Sequence, residues 1–245
     1  LGVTFKYNHT VTDVLAEKSE GQFDAVFLGL GAHLAKRAYI PAGDASHVMD
    51  AVTLLRSMEG DAQPMIGRRV VVYGGGNTAV DVARTVKRLG AEPLMVYRRT
   101  QEKAPAHRFE IEEAKEEGVA MKWLSTVAQA GEREIKIEKM RLDENGDPQP
   151  TGEFETISAD SLVLALGQET DLSCLNKLDL ATERGSVIVD SAMMTSIDGI
   201  FAGGDMVPGE RNVTVAIGHG KLAARAINAW LKGEKYTSSG SGGHL

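Results

Sequence analysis

The sequence predicts an α/β fold built on parallel sheets, and three observations carry that prediction. Short, near-continuous apolar runs end in glycine at Phe23–Gly31, Arg69–Gly76 and Ser161–Gly167, which is how strands buried on both faces read. Segments of helical period stand between such runs, from about Thr78 to Leu89 and from Val213 to Trp230. A strand, a glycine turn, a helix and a second strand also follow one another within about 30 residues, the opening of a βαβ unit.

Taken in order, Val3–Tyr7 alternates and is expected to be a strand, and Phe23–Gly31 a buried parallel one. Residues 50–58 have helical spacing, Gly60 stops them, and Gln63–Gly67 reads as a junction. Arg69–Tyr73 is a second buried strand, followed by Gly74-Gly75-Gly76, the helix from Thr78 stopped by Gly90, and a strand at Leu94–Tyr97. Phe109–Glu117 is a charged helix ending at Gly118, and Ala120–Leu124 the next parallel strand. The period then changes. Glu134–Leu142 and Glu153–Ile157 alternate around Asp143-Glu144-Asn145-Gly146-Asp147, an antiparallel hairpin with an Asn-Gly turn signal. Ser161–Gly167 returns to the parallel pattern, Val187–Asp190 and Gly199–Ala202 are short strands, and the 237–245 tail is expected to be disordered.

Composition narrows the function classes. A chain of 245 residues holds one large domain or two small ones. Its net charge of −7 lacks the basic footprint of a nucleic-acid binder. No apolar run approaches the roughly 20 residues of a membrane span, and no signal-peptide shape opens the chain, so the cytoplasm is the expected compartment. The single cysteine, Cys174, rules out a disulfide, a CxxC redox pair and a cysteine-ligated cluster within this chain, and reads as a packed small residue. His9, His33, His47, His107, His219 and His244 lack metal-ligand spacing, so no metal site is expected.

The motif that carries chemistry is Gly74-x-Gly76-x-x-Ala79. In a dinucleotide site the first glycine allows the tight turn off the strand and the second lets a pyrophosphate approach the backbone. The small third residue keeps the helix close to the sheet. The helix start then offers unpaired N–H groups and the positive end of its dipole to the phosphates, with Asn77 and Thr78 as added donors. An NAD site wants an acid about 20 residues further on, accepting from the ribose 2′-hydroxyl. Tyr97-Arg98-Arg99 stands there instead. Guanidiniums pair with a 2′-phosphate, so NADP(H) is favoured over NAD(H). His107 stands near this basic loop in sequence.

From Val70 to Val119 the chain resembles the NADPH-binding domain of the glutamate synthase small subunit family, and the equivalent region of dihydropyrimidine dehydrogenase. The residues that carry the resemblance are Gly74-Gly75-Gly76-Asn77-Thr78-Ala79, Asp81, Tyr97-Arg98-Arg99 and Glu112-Glu113-Ala114-Lys115-Glu116-Glu117-Gly118-Val119. It implies 2′-phosphate contacts from Arg98, Arg99 and, by a looser match, Arg108. It further implies a Rossmann-like NADPH domain at 64–167 inserted into an FAD domain of the two-dinucleotide flavoprotein type. That FAD domain is formed by 1–63 and 168–236. Gly167 would end the strand returning from the insertion, and Gly204-Asp205, Asn212 and Thr214 would lie along the flavin. Family members begin with a cysteine-rich iron–sulfur region and an FAD-binding GxGxxG, and neither is found in this sequence. Gly29-x-Gly31 lacks a third glycine-like position. The expectation is therefore a chain truncated at its N-terminus, with FAD binding doubtful in this piece.

The activity the resemblance implies is hydride transfer from NADPH to FAD, and onward electron transfer to iron–sulfur clusters or a partner subunit. The cofactors supply the chemistry, so no side chain is assigned as catalytic acid or base. A short-chain dehydrogenase would need Tyr-x-x-x-Lys, which is absent. A flavin monooxygenase stays open, as does an NADP(H)-binding sensor or scaffold without turnover.

Overall fold

The computed structural model describes residues 2–36, 40–41, 47–58 and 64–236. In chain order its elements are α1 (Val14–Glu20), β1 (Val26–Leu28), β2 (Leu34–Ala35), β3 (Val48–Asp50), α2 (Ala51–Ser57), β4 (Arg69–Tyr73), α3 (Asn77–Arg88) and β5 (Glu92–Val96). There follow α4 (Arg108–Glu116), β6 (Ala120–Lys122), β7 (Ser125–Ala130), β8 (Glu134–Leu142), β9 (Pro148–Ser158) and β10 (Ser161–Leu164). The last elements are β11 (Gln168–Glu169), β12 (Thr182–Glu183), β13 (Ser186–Val187), β14 (Ile200–Ala202) and α5 (Val213–Leu231). The chain divides into two units, Ala35–Gln168 and Leu1–Leu34 with Glu169–Leu245.

The unit Ala35–Gln168 is built on a five-stranded sheet in the order β3-β10-β4-β5-β6, with every pair parallel. The run of three valines in β4 shows why. Successive strand side chains face opposite ways, and here both faces are covered. Val70 and Val72 pack with Leu54, Val80, Val86 and Ile111 on the helix side. Val71 packs with Val127, Ile135 and Ile137 of an antiparallel sheet, β7-β8-β9, on the other. A strand buried on two sides has no polar face to alternate with, so its sequence is uninterruptedly apolar.

Helix α3 buries one stripe, Ala79, Val80, Val82, Ala83 and Val86, each at 0% exposure. Its polar side reaches α4. Arg84 and Arg88 both lie 2.6 Å from Glu117 Oε1, just past the end of α4. Hydrogen bonds from Arg84, and then from Arg88, hold the Glu117 carboxyl down at about 2. Asp160 does a similar job at the start of the sheet. Its carboxylate accepts from the Arg68 and Arg69 backbone N–H groups and from the Arg69 guanidinium, which fixes the entry of β4 beside that of β10. The Arg69 side chain and N–H lower its pKa to about 2.

In the other unit β1 and β14 pair in parallel, Val26 with Ile200 through Leu28 with Ala202. Its core includes Val14, Leu28, Val187, Ile200, Met206 and Ala223. Phe201 meets the ring of Trp230 from α5 edge-on, with centroids 6.4 Å apart.

Several expectations change. Val3–Tyr7 is not a strand: no described strand pairs with it, and Phe5 and Tyr7 stack on each other while 69% and 78% exposed. Alternation without a neighbouring edge leaves the backbone N–H groups no ladder to join. The described residues from Lys36 to Met58, placed by sequence in the 1–63 segment, fall in the parallel-sheet unit, because β3 adds to β10 at the sheet edge. The hairpin is larger than the two expected strands, since β7 joins as a third and β9 begins at Pro148. Gly60, Gln63, His244 and the 237–245 tail lie outside the described residues.

Candidate functional site

Strand β4 leads through α3 to β5 on one side of itself, while β10 lies on its other side. The order of strands reverses between them, and in open parallel sheets such a switch point leaves a crevice at the strands' carboxyl ends. A cleft of about 520 Å³ opens there, lined among others by Gly74, Gly76, Thr78, Arg98, Ala165 and Gly167.

The glycines divide the work. A Cβ on Gly74 would lie 2.2 Å from the Ala165 carbonyl oxygen, and one on Gly75 would lie 2.5 Å from the Tyr97 ring. Those two positions let the turn pass between β10 and the end of β5. A Cβ on Gly76 would meet nothing within 4 Å. The space it leaves bare is open cleft, at the N-cap of α3, where no side chain bonds to the first-turn N–H groups. The Ala79 N–H donates to the Gly76 carbonyl at 2.9 Å, while the earlier N–H groups of the turn lack a helical acceptor and sit at the positive end of the dipole. This is a seat that fits a pyrophosphate.

The predicted basic residues separate. Arg98 is exposed, lines the cleft and has no hydrogen bond or ion pair among the described residues. Arg99 does not line it. Its Nη2 donates to Asp147 Oδ1 at 2.8 Å, and its Nε is buried without a partner. Arg108 is exposed at the start of α4. The pKa of Glu102 is lowered chiefly by a backbone N–H and the Thr100 side chain, and that of Glu112 chiefly by Lys115, with the Arg108 charge a minor contribution to each. Asn77 Oδ1 accepts from the His107 N–H at 3.0 Å, tying the loop before α4 to the start of α3. The His107 ring stacks on Phe109 with centroids 5.6 Å apart. Ala79 is fully buried against the sheet. No aspartate or glutamate is among the described residues lining this cleft, whereas Lys36 is. Lys36 and Tyr73 were not foreseen. Lys36 lies far upstream of the motif, and its N–H donates to the Gly167 carbonyl.

The other unit has its own cleft, of about 450 Å³, lined in part by Phe27, Gly29, Gly31, Gly204, Asp205 and Asn212. Gly29 and Gly31, which the missing third glycine had argued against, are therefore site-lining residues. Asp205 has no partner among the described residues, so its carboxylate fits a hydroxyl-bearing ligand such as a ribityl chain. The Gly204 N–H donates to His219 Nδ1 at 3.2 Å. Asn212 is committed: its Oδ1 caps α5 by accepting from the Val215 N–H at 2.8 Å, and its Nδ2 donates to Glu210. Thr214 is exposed and does not line the cleft. Among the described residues no helix is long and apolar enough to cross a membrane, and no cluster of side chains is arranged to hold a metal ion.

Residues 2–220 match the family described as pyridine nucleotide-disulphide oxidoreductase. The NADP(+)-dependent formate dehydrogenase subunit beta of Moorella thermoacetica is 36% identical over 95% of this chain and 35% of its own length. The glutamate synthase [NADPH] small chain of Escherichia coli K12 is 33% identical over 95% of this chain and 56% of its own. The chain thus spans between about a third and just over half of these two curated relatives. Among solved structures, FprA from Mycobacterium tuberculosis superposes with a TM-score of 0.72 at 16% identity, over 94% of this chain and 70% of that one. Thioredoxin reductase from T. acidophilum superposes with a TM-score of 0.69 at 20% identity, over 85% and 66%. These likenesses establish the fold, an α/β fold of the two-dinucleotide flavoprotein reductase type.

Proposed function

Because the chain belongs to the pyridine nucleotide-disulphide oxidoreductase family, we propose that it is the NADPH-binding and flavin-flanking part of an NADPH-dependent flavoprotein oxidoreductase of the glutamate synthase small-subunit kind. The single observation that carries the reading is the cleft at the β4/β10 switch point. Bare Gly76 sits at a helix start with no side-chain cap, and Arg98, which has no partner among the described residues, lines the cleft.

The chain's residues bind and orient. The first-turn N–H groups of α3 hold the pyrophosphate, and Arg98 pairs with the adenosine 2′-phosphate, where a carboxylate would have selected a 2′-hydroxyl. In the second cleft Asp205 accepts from flavin hydroxyls, and Gly29, Gly31 and Gly204 leave room for backbone approach. When bound, NADPH supplies a hydride and the flavin accepts it, so the protein contributes position and field. Lone Cys174 offers no dithiol within this chain, and its thiol is pushed up by burial, away from reactivity. In this reading electrons leave the flavin for an iron–sulfur centre or a partner subunit, which is supported by relatives named as subunits or small chains. The cytoplasm is the compartment this chemistry suits.

The test is to supply FAD to the protein and follow bleaching of the flavin band on adding NADPH or NADH. Faster bleaching by NADPH supports the proposal. Equal use of the two nucleotides would defeat the 2′-phosphate assignment, and a calorimetric titration in which neither nucleotide binds would make the glycine turn structural.

A further inference from the structure

Successive residues Arg98 and Arg99 leave the end of β5 for different surroundings. Arg98 stands on the nucleotide cleft with no partner among the described residues, while Arg99 is held by the tip of the β8–β9 hairpin. The grip is firm on both sides. The Asp143 carboxylate accepts from the N–H groups of Asn145 and Asp147 and from the Gln149 side chain, which closes the turn and fixes Asp147. The Leu124 N–H donates to the Arg99 carbonyl, and the Met140 N–H of β8 donates to the Leu124 carbonyl, so hairpin and basic loop share a backbone chain of bonds. Among the described residues one donor of the Arg99 guanidinium is used, and its buried Nε–H has no partner.

We propose that Asp147 is a specificity-tuning residue: it masks the charge of Arg99, so that Arg98 alone answers the 2′-phosphate and the hairpin tip sets the affinity for NADPH. This rests on the reading of the cleft as an NADPH site. A carboxylate 2.8 Å from a guanidinium makes the pair close to neutral seen from the cleft. Removing the carboxylate alone exposes a second positive charge, with a free fork of donors, beside the first. Removing both charges restores the balance.

The probe is 2′,5′-ADP, which carries the 2′-phosphate without the nicotinamide, titrated calorimetrically beside 5′-ADP. Asp147→Asn is expected to bind 2′,5′-ADP about threefold to fivefold more tightly than the unmodified chain, the ratio an exposed ion pair is worth. Its affinity for 5′-ADP should change less. The double variant Arg99→Gln/Asp147→Asn is expected to bind 2′,5′-ADP within about twofold of the unmodified chain. The proposal is overturned if Asp147→Asn binds no more tightly, or more weakly, since the pair would then be a brace. It is equally overturned if the double variant loses about tenfold, since Arg99 would then be a ligand in its own right. Arg98→Gln in the same series separates the two levels. If it leaves 2′,5′-ADP affinity unchanged, the NADPH reading itself fails. If it weakens binding while Asp147→Asn does nothing, the masking alone fails.

Discussion

The two clefts are made of like parts, a parallel strand end, closely spaced glycines and a helix start, yet the helix starts differ. At α3 the N-cap is Gly76, with no side chain to bond the first turn. At α5 the N-cap is Asn212, whose Oδ1 already takes the Val215 N–H. Both starts spend the third-position N–H on their own chain, Ala79 on the Gly76 carbonyl and Val215 on the Asn212 side chain, but only at α5 does a side chain cover the first turn where a ligand would sit. The supports differ too. The α3 cleft rests on a five-stranded parallel sheet with packed layers on both faces. The other cleft sits beside a two-stranded pairing, and Phe27 and Val213 on its lining are 41% and 75% exposed. The contrast teaches that one cleft is finished by its own unit, whereas the other presents apolar lining that a bound flavin would cover.

The largest effect should come from filling the space under the bare turn. Gly74→Val places carbon against the Ala165 carbonyl, so nucleotide titration should show no binding and the melting temperature should fall. Normal binding would mean that the β4 and β10 ends are not locked together. Next, transplanting the α5 arrangement, Gly76→Asn, should weaken NADPH about tenfold or more by occupying the phosphate seat. Stability should change little, rising by no more than a few tenths of a kcal/mol because Asn caps better than Gly, as read by thermal melting. Undiminished NADPH affinity would break the contrast between the two helix starts. In the reverse direction, Asn212→Ala should lower stability by about 1 kcal/mol in urea titration and leave NADPH affinity as it was.

The smallest effect is on acid stability in the parallel-sheet unit. Glu117 and Asp160 are held at about 2 in the fold, below their ordinary values. The stability they contribute is complete above the unfolded-state pKa and is lost as pH falls toward about 2. Melting temperature should therefore drop between about pH 5 and pH 2, and Glu117→Gln should flatten part of that slope. An unchanged slope would show that the Arg84–Glu117–Arg88 cluster is not formed in solution.

What the sequence revealed and what it hid divide along locality. The Gly74–Ala79 turn, the stripe of α3 and the Asn145–Gly146 hairpin are written within a few residues of themselves, where steric rules and helical period act directly. The bond that turns Arg99 toward the hairpin was not legible because its partner, Asp147, is 48 positions away, and a pair of arginines looks alike whichever way each one turns. β3 is three residues long and owes its state to the β10 edge, not to its own pattern. Val3–Tyr7 shows the converse, a good strand pattern with no edge to join. Gly29 and Gly31 were set aside for want of a third glycine, although a cleft needs only the backbone to be bare where the ligand passes.

The central claim is that Arg98 at the β4/β10 cleft selects NADPH. The direct measurement is calorimetric titration of NADPH and NADH into the chain and into Arg98→Gln. The account predicts about a tenfold to hundredfold loss for NADPH, as for removing a charge-assisted phosphate contact, with NADH affinity nearly unchanged. If both nucleotides keep their affinities, or both lose equally, Arg98 does not read the 2′-phosphate.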